Sequence, residues 1–338
     1  MIAVKGNRGG RETGATPASL FGLPRRVRWV AVDKIAFTFP GQGRIAEGSG
    51  APWADDPARW PFERASRLLG WDVLEVIEAG DAALSDTRKA QPAIYTHSAA
   101  CHLLARDVGL RPDLVAGHSL GEYAALFAAG GISFEQGLEL VVRRAELAHQ
   151  AGGTGVMRVI LGLPDKTVGQ LCRTVRRQVG KVFLANSNAP GQVVISGESE
   201  AVEETARRAL DAGAKRVLTL PIGGGFHTPL MRAARRPFRE ALDRIDLGRL
   251  EVPLVSNAKA RVVRSGRRAG RLLARQLTSP VDWTRCVERL RQLGTTRYVE
   301  LGPGRVLEGL IRRIDPRAVV AIAATPDEVR ALAETAGA

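Results

Sequence analysis

The most constraining feature of the chain is a five-residue segment, Gly117-His118-Ser119-Leu120-Gly121, which has the pattern G-x-S-x-G. A short apolar run precedes it at residues 114–116, and a helix-prone stretch follows at residues 122–129. Small residues on both sides of a serine permit the sharp strand-to-helix turn known as a nucleophile elbow, which exposes the serine oxygen at a helix N-terminus. The pattern predicts an α/β fold in which Ser119 is a covalent nucleophile.

The composition is that of a globular protein with one large domain or two smaller ones. Of its 338 residues, 45% are hydrophobic and 25% are charged, which are ordinary fractions for such proteins. The three cysteines lie far apart and no histidines cluster at metal-ligand spacing, so the sequence predicts neither disulfides nor a metal site. No apolar run is long enough to cross a bilayer. We therefore expect a soluble protein of a reducing cytoplasm, with no membrane association.

The charge of the chain is strongly basic, with a formal net value of +14. The arginines of the C-terminal third have almost no aromatic residues among them and match no nucleic-acid motif, so nucleic acid is not an expected partner. They form either a solvated basic face or a surface that attracts an acidic partner or a phosphate-bearing substrate. Residues 1–33 are rich in Gly and Arg and are interpreted as a flexible basic tail or an overlong start, with an Arg-rich targeting segment as the alternative.

Turn and cap signals divide the first half of the chain into elements. Residues 35–39 read as a strand, which the tight loop at residues 40–43 ends. Gln91-Pro92 is expected to open a helix that closes at Gly109. Ser133 and Gln136 have capping-box spacing, which predicts a helix from Ser133 to about residue 150.

The pattern changes at residues 155–221. Apolar runs and helical periods follow one another there in the order βαββαβ, which is typical of a ferredoxin-like unit. We expect this unit to be a small subdomain inserted into a larger body with a parallel, hydrolase-like sheet. That body comprises residues 34–154 and 222–338, with a closing strand at residues 297–301.

A serine hydroxyl needs a base, which is normally histidine, to become a nucleophile. His97 and His102 are most simply helix-face residues of the helix that includes Gln91. His227 follows a glycine run and precedes Pro229, a context that lets backbone approach a substrate and places the imidazole at a loop-to-helix junction. We expect His227 to be the base, although a turn histidine without a role stays open. No acidic residue between Ser119 and His227 stands out, so a dyad without a carboxylate is expected.

Arg144 lies at the edge of an apolar stripe on the helix that follows Ser133, and Arg143 points to the opposite side. Arginine at a buried margin can hold a planar carboxylate through two parallel hydrogen bonds. It can equally pack its aliphatic stem along the apolar surface. The sequence pattern alone leaves both interpretations open. The stripe itself consists of Phe134, Leu138, Val141, Ala145 and Ala148.

From Ile35 to about Pro316 the chain resembles the malonyl-CoA:acyl carrier protein transacylases and related polyketide synthase acyltransferases, including trans-acting ones. The motifs that carry the resemblance occur in the family's order and are jointly specific. They are FPGQG (39–43), AQPA (90–93), GHSLGEY (117–123), the Arg144 helix, NAPGQVVISG (188–197), GGFH (224–227), RQLTSPVDW (275–283) and ELGPGRVL (300–307).

The resemblance implies a role for each matching residue. Ser119 would carry the acyl group, and His227 would be its base, oriented by the backbone carbonyl of Gln276. The backbone N–H groups of Gln42 and Leu120 would form the oxyanion hole, where each donor is typically worth about 10² to 10³ in rate.

The substrate pocket is also implied by the resemblance. Gln91 would line it, Arg144 would bind the free carboxylate of a malonyl group, and Phe226 would narrow the pocket against branched acyl chains. Asn188 and Gln192 look like further pocket residues, although an ordinary Asn-x-Pro-Gly turn explains them nearly as well.

The implied activity is transfer of a malonyl group from malonyl-CoA to the phosphopantetheine thiol of an acyl carrier protein, in fatty-acid or polyketide biosynthesis, by a monomer without metal or bound cofactor. Two other activities stay open: transfer of another acyl chain between carrier proteins in polyketide assembly, and hydrolysis of acyl groups from stalled carrier proteins. A catalytically dead docking module is disfavoured by the intact Ser119 and His227. After FPGQG the chain departs from the family pattern at residues 44–60, which affects Gln42 and the acyl group accepted.

Overall fold

The computed structural model describes residues 34–43, 45, 47–152, 155–220 and 224–336. The predicted basic tail at residues 1–33 lies outside the described residues. The predicted subdomain boundaries, between residues 154 and 155 and between residues 221 and 222, fall on or beside residues outside this set. The division into domains therefore stays a prediction.

Helices and strands alternate along most of the described chain. The strands are β1 (Lys34–Phe39), β2 (Leu114–Gly117), β3 (Val156–Leu161), β4 (Val182–Ala189), β5 (Gln192–Gly197), β6 (Arg216–Thr219), β7 (Arg249–Ser256), β8 (Arg261–Ser265), β9 (Val281–Asp282), β10 (Thr295–Leu301) and β11 (Val319–Ala323).

The helices surround two sheets that these strands form. They are α1 (Ala51–Ala54), α2 (Trp60–Leu69), α3 (Val73–Glu78), α4 (Thr87–Asp107), α5 (Gly121–Ala128), α6 (Phe134–Gly152), α7 (Asp165–Gln178), α8 (Ser199–Asp211), α9 (Arg232–Leu242), α10 (Gly266–Gln276), α11 (Trp283–Gln292), α12 (Val306–Ile314) and α13 (Pro326–Ala336).

The larger sheet has the strand order β11-β10-β1-β2-β7-β8. Its pairs are parallel except for the last, in which β8 runs antiparallel to β7. Successive residues of a strand point to opposite faces, and both faces of this sheet are buried. Phe37 and Val115 pack into one hydrophobic cluster, whereas Ala36 and Ala116 pack into another. The predicted parallel sheet with helices on both sides is therefore confirmed.

The smaller sheet has the order β6-β3-β5-β4-β9. Its first four strands pair antiparallel, and α7 and α8 pack against them around a separate cluster of buried residues. The predicted βαββαβ order is confirmed. The fifth strand was not predicted: β9, which comes from a later part of the chain, pairs parallel with β4.

Three sequence predictions concern the ends of elements, and one of them is wrong. Helix α4 begins at Thr87, not at Gln91, because the side chain of Asp86 caps it by accepting the N–H of Arg88. Pro92 therefore lies inside the helix, early enough that it costs only one hydrogen bond near its start. The predicted end at Gly109 and the predicted capping box of Ser133 with Gln136 are confirmed.

The strand predicted to close the body is also not the last one. Residues 297–301 lie in β10, as expected, but β11 follows and pairs parallel with β10 at the edge of the sheet. Helix α13 then packs against α4.

Candidate active site

Ser119 lies at the sharp turn between β2 and α5, with a positive φ of 53°. The two glycines of the motif are required by close packing. A Cβ atom on Gly117 would lie 1.9 Å from the carbonyl carbon of Gly121, and one on Gly121 would lie 2.0 Å from the carbonyl oxygen of Phe39. Only glycine fits at these two positions, which is the physical reason for the G-x-S-x-G pattern.

The imidazole of His227 lies beside the serine hydroxyl. The distance from Ser119 Oγ to His227 Nε2 is 2.7 Å, and the distance from His227 Nδ1 to the carbonyl oxygen of Gln276 is 3.0 Å. In the neutral ring Nδ1–H donates to the carbonyl, which leaves Nε2 to accept the hydroxyl proton. Within the described part of the chain, no carboxylate contacts this imidazole.

The electrostatic environment keeps His227 neutral. Burial is the main cause, and the positive charge of Arg144 adds to it, so that the pKa of His227 is lowered from its usual 6.5 to about 3. The hydrogen bond to Gln276 acts in the opposite direction but does not outweigh burial. An imidazole that is uncharged at neutral pH is ready to take a proton from the serine.

Arg144 reaches the same oxygen from helix α6. Its side chain is buried, at 3% exposure, and its Nη2 donates to Ser119 Oγ at 3.0 Å. Its Nη1 donates to Gln91 Oε1 at 2.5 Å. Arg143 instead pairs with Glu146 in a partly exposed salt bridge. The predicted opposite orientation of these two arginines is confirmed, and the guanidinium lies at the nucleophile instead of snorkelling to solvent.

The guanidinium of Arg144 has no carboxylate within salt-bridge distance among the described residues, although Glu122 acts on its charge from further away. Its Nε is buried and without a hydrogen-bond partner in that set, and its charge lies 5.7 Å from the ring centre of Tyr123. Burying a charge without an opposite charge is costly. The site therefore holds a positive group that an anionic substrate would neutralise.

The two expected oxyanion-hole residues lie on different segments. Leu120 is the residue just before α5, and no acceptor among the described residues takes its backbone N–H. The N–H of Ser119 is already bonded to Asn257 Oδ1, at 2.7 Å. The side chain of Gln42 accepts a hydrogen bond from Thr87, whose hydroxyl in turn accepts from Gln91. A line of hydrogen bonds thus joins the first loop to Arg144.

The remaining predicted pocket residues divide into two groups. Phe226 is buried beside His227, and Asn188 Oδ1 lies 2.9 Å from Nε2 of His118, the residue just before the nucleophile. Gln192 differs, since its side-chain oxygen accepts a hydrogen bond from Arg313 of α12 at 2.9 Å. The structure thus places Phe226 next to His227, joins Asn188 to His118, and gives Gln192 a contact with α12.

Sequence reasoning missed two buried residues under the nucleophile, Asn257 and Glu122. The side chain of Asn257 bonds to the backbone N–H of Ser119 and the backbone carbonyl of Gly117, and Glu122 contacts Asn257 and Gln276. Glu122 stands inside the motif GHSLGEY and could have been singled out as a charged residue in an otherwise apolar helix. Asn257 follows a short apolar strand and carries no signal of its own.

The described residues contain neither a cluster of metal-binding side chains nor a helix suited to a membrane. No group of three or more His, Cys, Asp or Glu side chains there is placed to hold a metal ion. None of the helices in this part of the chain is both long and apolar enough to span a membrane.

An elbow serine bonded to a neutral imidazole, on an α/β fold of this kind, defines an enzyme class that works through a covalent serine intermediate. The family model described as "acyl transferase domain" matches residues 36–315. The chain therefore belongs to the acyl transferase family.

Similar proteins carry more specific names. A malonyl CoA-acyl carrier protein transacylase of Bacillus subtilis is 37% identical over 309 residues, which are 90% of this chain and 98% of the relative. Among solved structures, an acyl-carrier-protein S-malonyltransferase from Burkholderia pseudomallei is 38% identical, with a TM-score of 0.85 over 89% of this chain and 99% of its own. A malonyl-transacylase in complex with a type II PKS acyl-carrier protein is 37% identical, with a TM-score of 0.85 over 89% and 99% of the two chains.

Proposed function

We propose that this protein transfers a malonyl group from malonyl-CoA to the phosphopantetheine thiol of an acyl carrier protein, through an acyl-enzyme on Ser119. The observation that carries the proposal is that Ser119 Oγ lies within hydrogen-bond distance of both His227 Nε2 and Arg144 Nη2. A base and an anion-binding group therefore meet at one nucleophile. The similarity to proteins named malonyl transacylases supports the same substrate.

The first half of the reaction forms the acyl-enzyme. His227 Nε2 takes the hydroxyl proton as Ser119 Oγ attacks the thioester carbonyl carbon of malonyl-CoA. The negative charge of the tetrahedral intermediate then develops beside the N-terminus of α5, where the backbone N–H of Leu120 is available, with Gln42 as the second donor. When the carbon–sulfur bond breaks, the imidazolium returns its proton to the sulfur of coenzyme A, and the serine ester remains.

The second half reverses these steps with a different thiol. The thiol of the carrier protein's phosphopantetheine arm gives its proton to His227 and attacks the serine ester. The ester bond to Oγ breaks, and Oγ recovers the proton from the imidazolium. Every proton transfer uses one nitrogen atom of His227, and Gln276 keeps the other nitrogen protonated throughout. We therefore propose that the chemistry needs neither a metal nor a bound cofactor.

Selection of the acyl group is assigned to Arg144. In the acyl-enzyme the free carboxylate of malonyl would replace Ser119 Oγ and Gln91 as the acceptor of the guanidinium N–H groups, in a two-bond geometry that arginine favours. An acetyl group offers no such acceptor and would leave the buried charge unneutralised. This also argues against the alternative of moving uncharged acyl chains between carrier proteins. The monomeric state and the cytoplasmic location stay predictions.

The test measures the intact mass of the protein after exposure to malonyl-CoA or acetyl-CoA. We expect one malonyl group on the wild-type protein, none on Ser119→Ala, and loss of the group when a carrier protein with a free phosphopantetheine thiol is added. Rapid release of free malonate without a carrier protein would instead favour a hydrolase. Stable acetylation as efficient as malonylation would contradict the role of Arg144.

Arg143 offers a matched control for the neighbouring arginine. Arg144→Ala should reduce the preference for malonyl-CoA over acetyl-CoA by about 10²-fold, because a charged, two-bond contact is lost. Arg143→Ala removes the same side chain from the same helix, but only a partly exposed ion pair, and should leave the preference unchanged. Equal effects of the two changes would show that the preference depends on overall charge.

A further inference from the structure

Asn257 is the first residue after strand β7, at the edge of the larger sheet where the nucleophile elbow begins. Strand β7 pairs parallel with β2, with Leu254 beside Val115 and Val255 beside Ala116. Because parallel strands end at the same edge of a sheet, the residue after β7 falls beside the residues after β2. Asn257 is completely buried there.

The side-chain amide of Asn257 bonds to the backbone on both sides of His118, at the start of the elbow. Its Oδ1 accepts the N–H of Ser119 at 2.7 Å, and its Nδ2 donates to the carbonyl oxygen of Gly117 at 2.6 Å. One acceptor and one donor are needed in this order, so the orientation of the amide is fixed by its partners. Ser119 has a positive φ, which is unfavourable for a residue with a side chain and persists only where neighbours enforce it.

A single carboxylate oxygen connects the backbone of Asn257 to Gln276, the residue that orients His227. Glu122 Oε2 accepts the backbone N–H of Asn257 at 3.2 Å and Nε2 of Gln276 at 2.7 Å. The same Nε2 donates to the carbonyl oxygen of Ser119 at 2.9 Å. The backbone carbonyl of Gln276, in turn, orients His227. The backbone of Ser119 is thus held at its N–H by Asn257 and at its C=O by Gln276.

This arrangement also determines which N–H groups can stabilise an oxyanion. The Ser119 N–H is occupied by Asn257 Oδ1, whereas the next N–H, that of Leu120, has no acceptor among the residues that the structure describes. If the amide were absent, the elbow could relax toward an ordinary backbone conformation. Ser119 Oγ would then move relative to both His227 Nε2 and the Leu120 N–H.

We propose that Asn257 is a positioning residue, which holds the nucleophile elbow in its reactive conformation by bonding to Gly117 and Ser119, and that Glu122 fixes Asn257 and Gln276 for this task. No hydrogen bond described for either side chain reaches Ser119 Oγ, His227 or Arg144, the groups proposed to meet the substrate. The proposal rests on Ser119 being the acylated residue, and it predicts a change in the rate of acylation without a change in substrate binding.

The sharpest variant is Asn257→Asp, which has the same shape. When the new carboxyl group is protonated, it offers one donor and one acceptor, as the amide does. When it is ionised, it can no longer donate to Gly117, and its negative charge faces a carbonyl oxygen. The titratable groups in contact with this position are Glu122 on α5, whose charge favours the protonated form, and the Cys286 thiol on α11. Arg144 acts on Glu122, and Asp282 acts on Cys286, from further away.

We expect the acylation rates of wild-type protein and Asn257→Asp to depend differently on pH. At neutral pH, kcat for acylation of Asn257→Asp should be reduced by about 10²-fold with KM for malonyl-CoA within about threefold, since only positioning is lost. On lowering the pH from about 7.5 to about 5, the variant should regain at least about tenfold in rate as the new carboxyl group protonates. The wild-type rate should not rise over this interval, because His227 remains neutral down to a pH of about 3. Glu122, with a pKa of about 7, gains a proton within the interval, but its protonated form keeps an oxygen that accepts from Asn257 and Gln276.

Cys286→Ala is the matched control. This thiol is buried and lies 3.9 Å from Asn257 Nδ2, but the contacts described for it do not include the elbow. The control should therefore acylate at the wild-type rate, even if its melting temperature falls. If Asn257→Asp does not fold, Glu122→Gln tests the same network, with an expected loss of about tenfold in kcat and an unchanged KM.

A second measurement separates this inference from the proposed function. Labelling of Ser119 by a fluorophosphonate reports the reactivity of the nucleophile without any malonyl group. If wild-type protein is labelled but not acylated by malonyl-CoA, the proposed function fails while the variants still test the elbow. Labelling and acylation of folded Asn257→Asp at wild-type rates at neutral pH would overturn the role of Asn257, as would a loss that is the same at every pH.

Discussion

The two halves of the dyad are carried by different kinds of support. Ser119 lies on the larger sheet, between a buried strand and a buried helix, and both its N–H and its C=O are bonded to side chains. His227 lies in the segment that leads from the smaller sheet to α9, where one hydrogen bond from its ring to Gln276 sets its orientation. Both residues have a positive φ, of 53° and 59° respectively.

This difference indicates how substitutions near Ser119 and near His227 should affect folding and rate. The position of the nucleophile follows from backbone packing so close that a methyl group cannot be added at either flanking glycine. The position of the base depends on a ring–carbonyl hydrogen bond and on the side chains around it. We therefore expect changes around Ser119 to affect folding and rate together, and changes at His227 to affect rate with little effect on folding.

The largest expected effect is on chemistry, at the histidine. His227→Ala removes the base and should reduce the rate of acylation by malonyl-CoA by about 10⁴-fold. The double variant with Ser119→Ala should be no slower than the less active single variant, because the two residues act as a unit. Stopped-flow or quench measurements of the acyl-enzyme provide the rates.

The melting temperature checks whether His227 is mainly catalytic. Removal of a buried, neutral ring leaves a cavity but breaks only one hydrogen bond to the protein backbone, so His227→Ala should remain folded at room temperature. If His227→Ala unfolds at room temperature, the surroundings of His227 are as important for folding as those of Ser119. The expectation that changes at His227 affect mainly the rate is then wrong.

The second largest expected effect is on stability, and it compares a glycine-to-alanine substitution beside Ser119 with one beside His227. Gly121→Ala would place its Cβ 2.0 Å from the backbone oxygen of Phe39, whereas Gly225→Ala would meet the side chain of Leu230, at 2.6 Å. Phe39 belongs to a central strand of the larger sheet and cannot move without disturbing it. The atom of Leu230 that would be met is its Cβ, so Leu230 must move together with its 3₁₀ turn, Pro229–Met231, which lies outside both sheets. We expect Gly121→Ala to lose more than about 4 kcal/mol of unfolding free energy and Gly225→Ala about 1 to 2 kcal/mol.

Urea unfolding followed by tryptophan fluorescence measures both values on the same protein. The two variants are matched in chemistry, in burial and in distance along the chain from a dyad residue, since each glycine is two residues from Ser119 or His227. Equal losses of stability would indicate that the loop before α9 is packed as rigidly as the elbow.

The same contrast explains what could be predicted from the sequence. The elbow was recognised because its backbone geometry demands glycine at residues 117 and 121, and such a demand appears directly in the sequence. The smaller sheet was recognised from its alternation of apolar runs and helical periods. Both signals are local, so they need no knowledge of how distant segments meet.

What could not be predicted depends on contacts between distant segments. Strand β9 has two residues and no apolar run, and it exists only because β4 offers a free edge. Asn257 is 138 residues from Ser119, and its amide would serve any exposed turn equally well. The side chain of Gln192 bonds to α12, 121 residues later. Burial, not sequence pattern, also lowers the pKa of His227 and raises that of Glu122.

The smallest expected effect concerns these two groups, because their pKa shifts have opposite consequences for stability. Burial raises the pKa of Glu122 from 4.5 to about 7, so its favourable contribution is complete below pH 4.5 and is lost as the pH rises to about 7. Burial lowers the pKa of His227 from 6.5 to about 3. Its contribution is therefore complete above pH 6.5 and is lost as the pH falls toward 3.

Glu122→Gln should remove the pH dependence of stability that comes from Glu122 and leave the one that comes from His227. Wild-type protein should lose on the order of 3 kcal/mol of unfolding free energy through Glu122 between pH 4.5 and 7, and the variant should not. The difference between the two unfolding curves, measured in urea at a series of pH values, isolates this carboxyl group. An unchanged difference across that range would mean that Glu122 is ionised throughout, and that the serine side is held by charge as well as by packing.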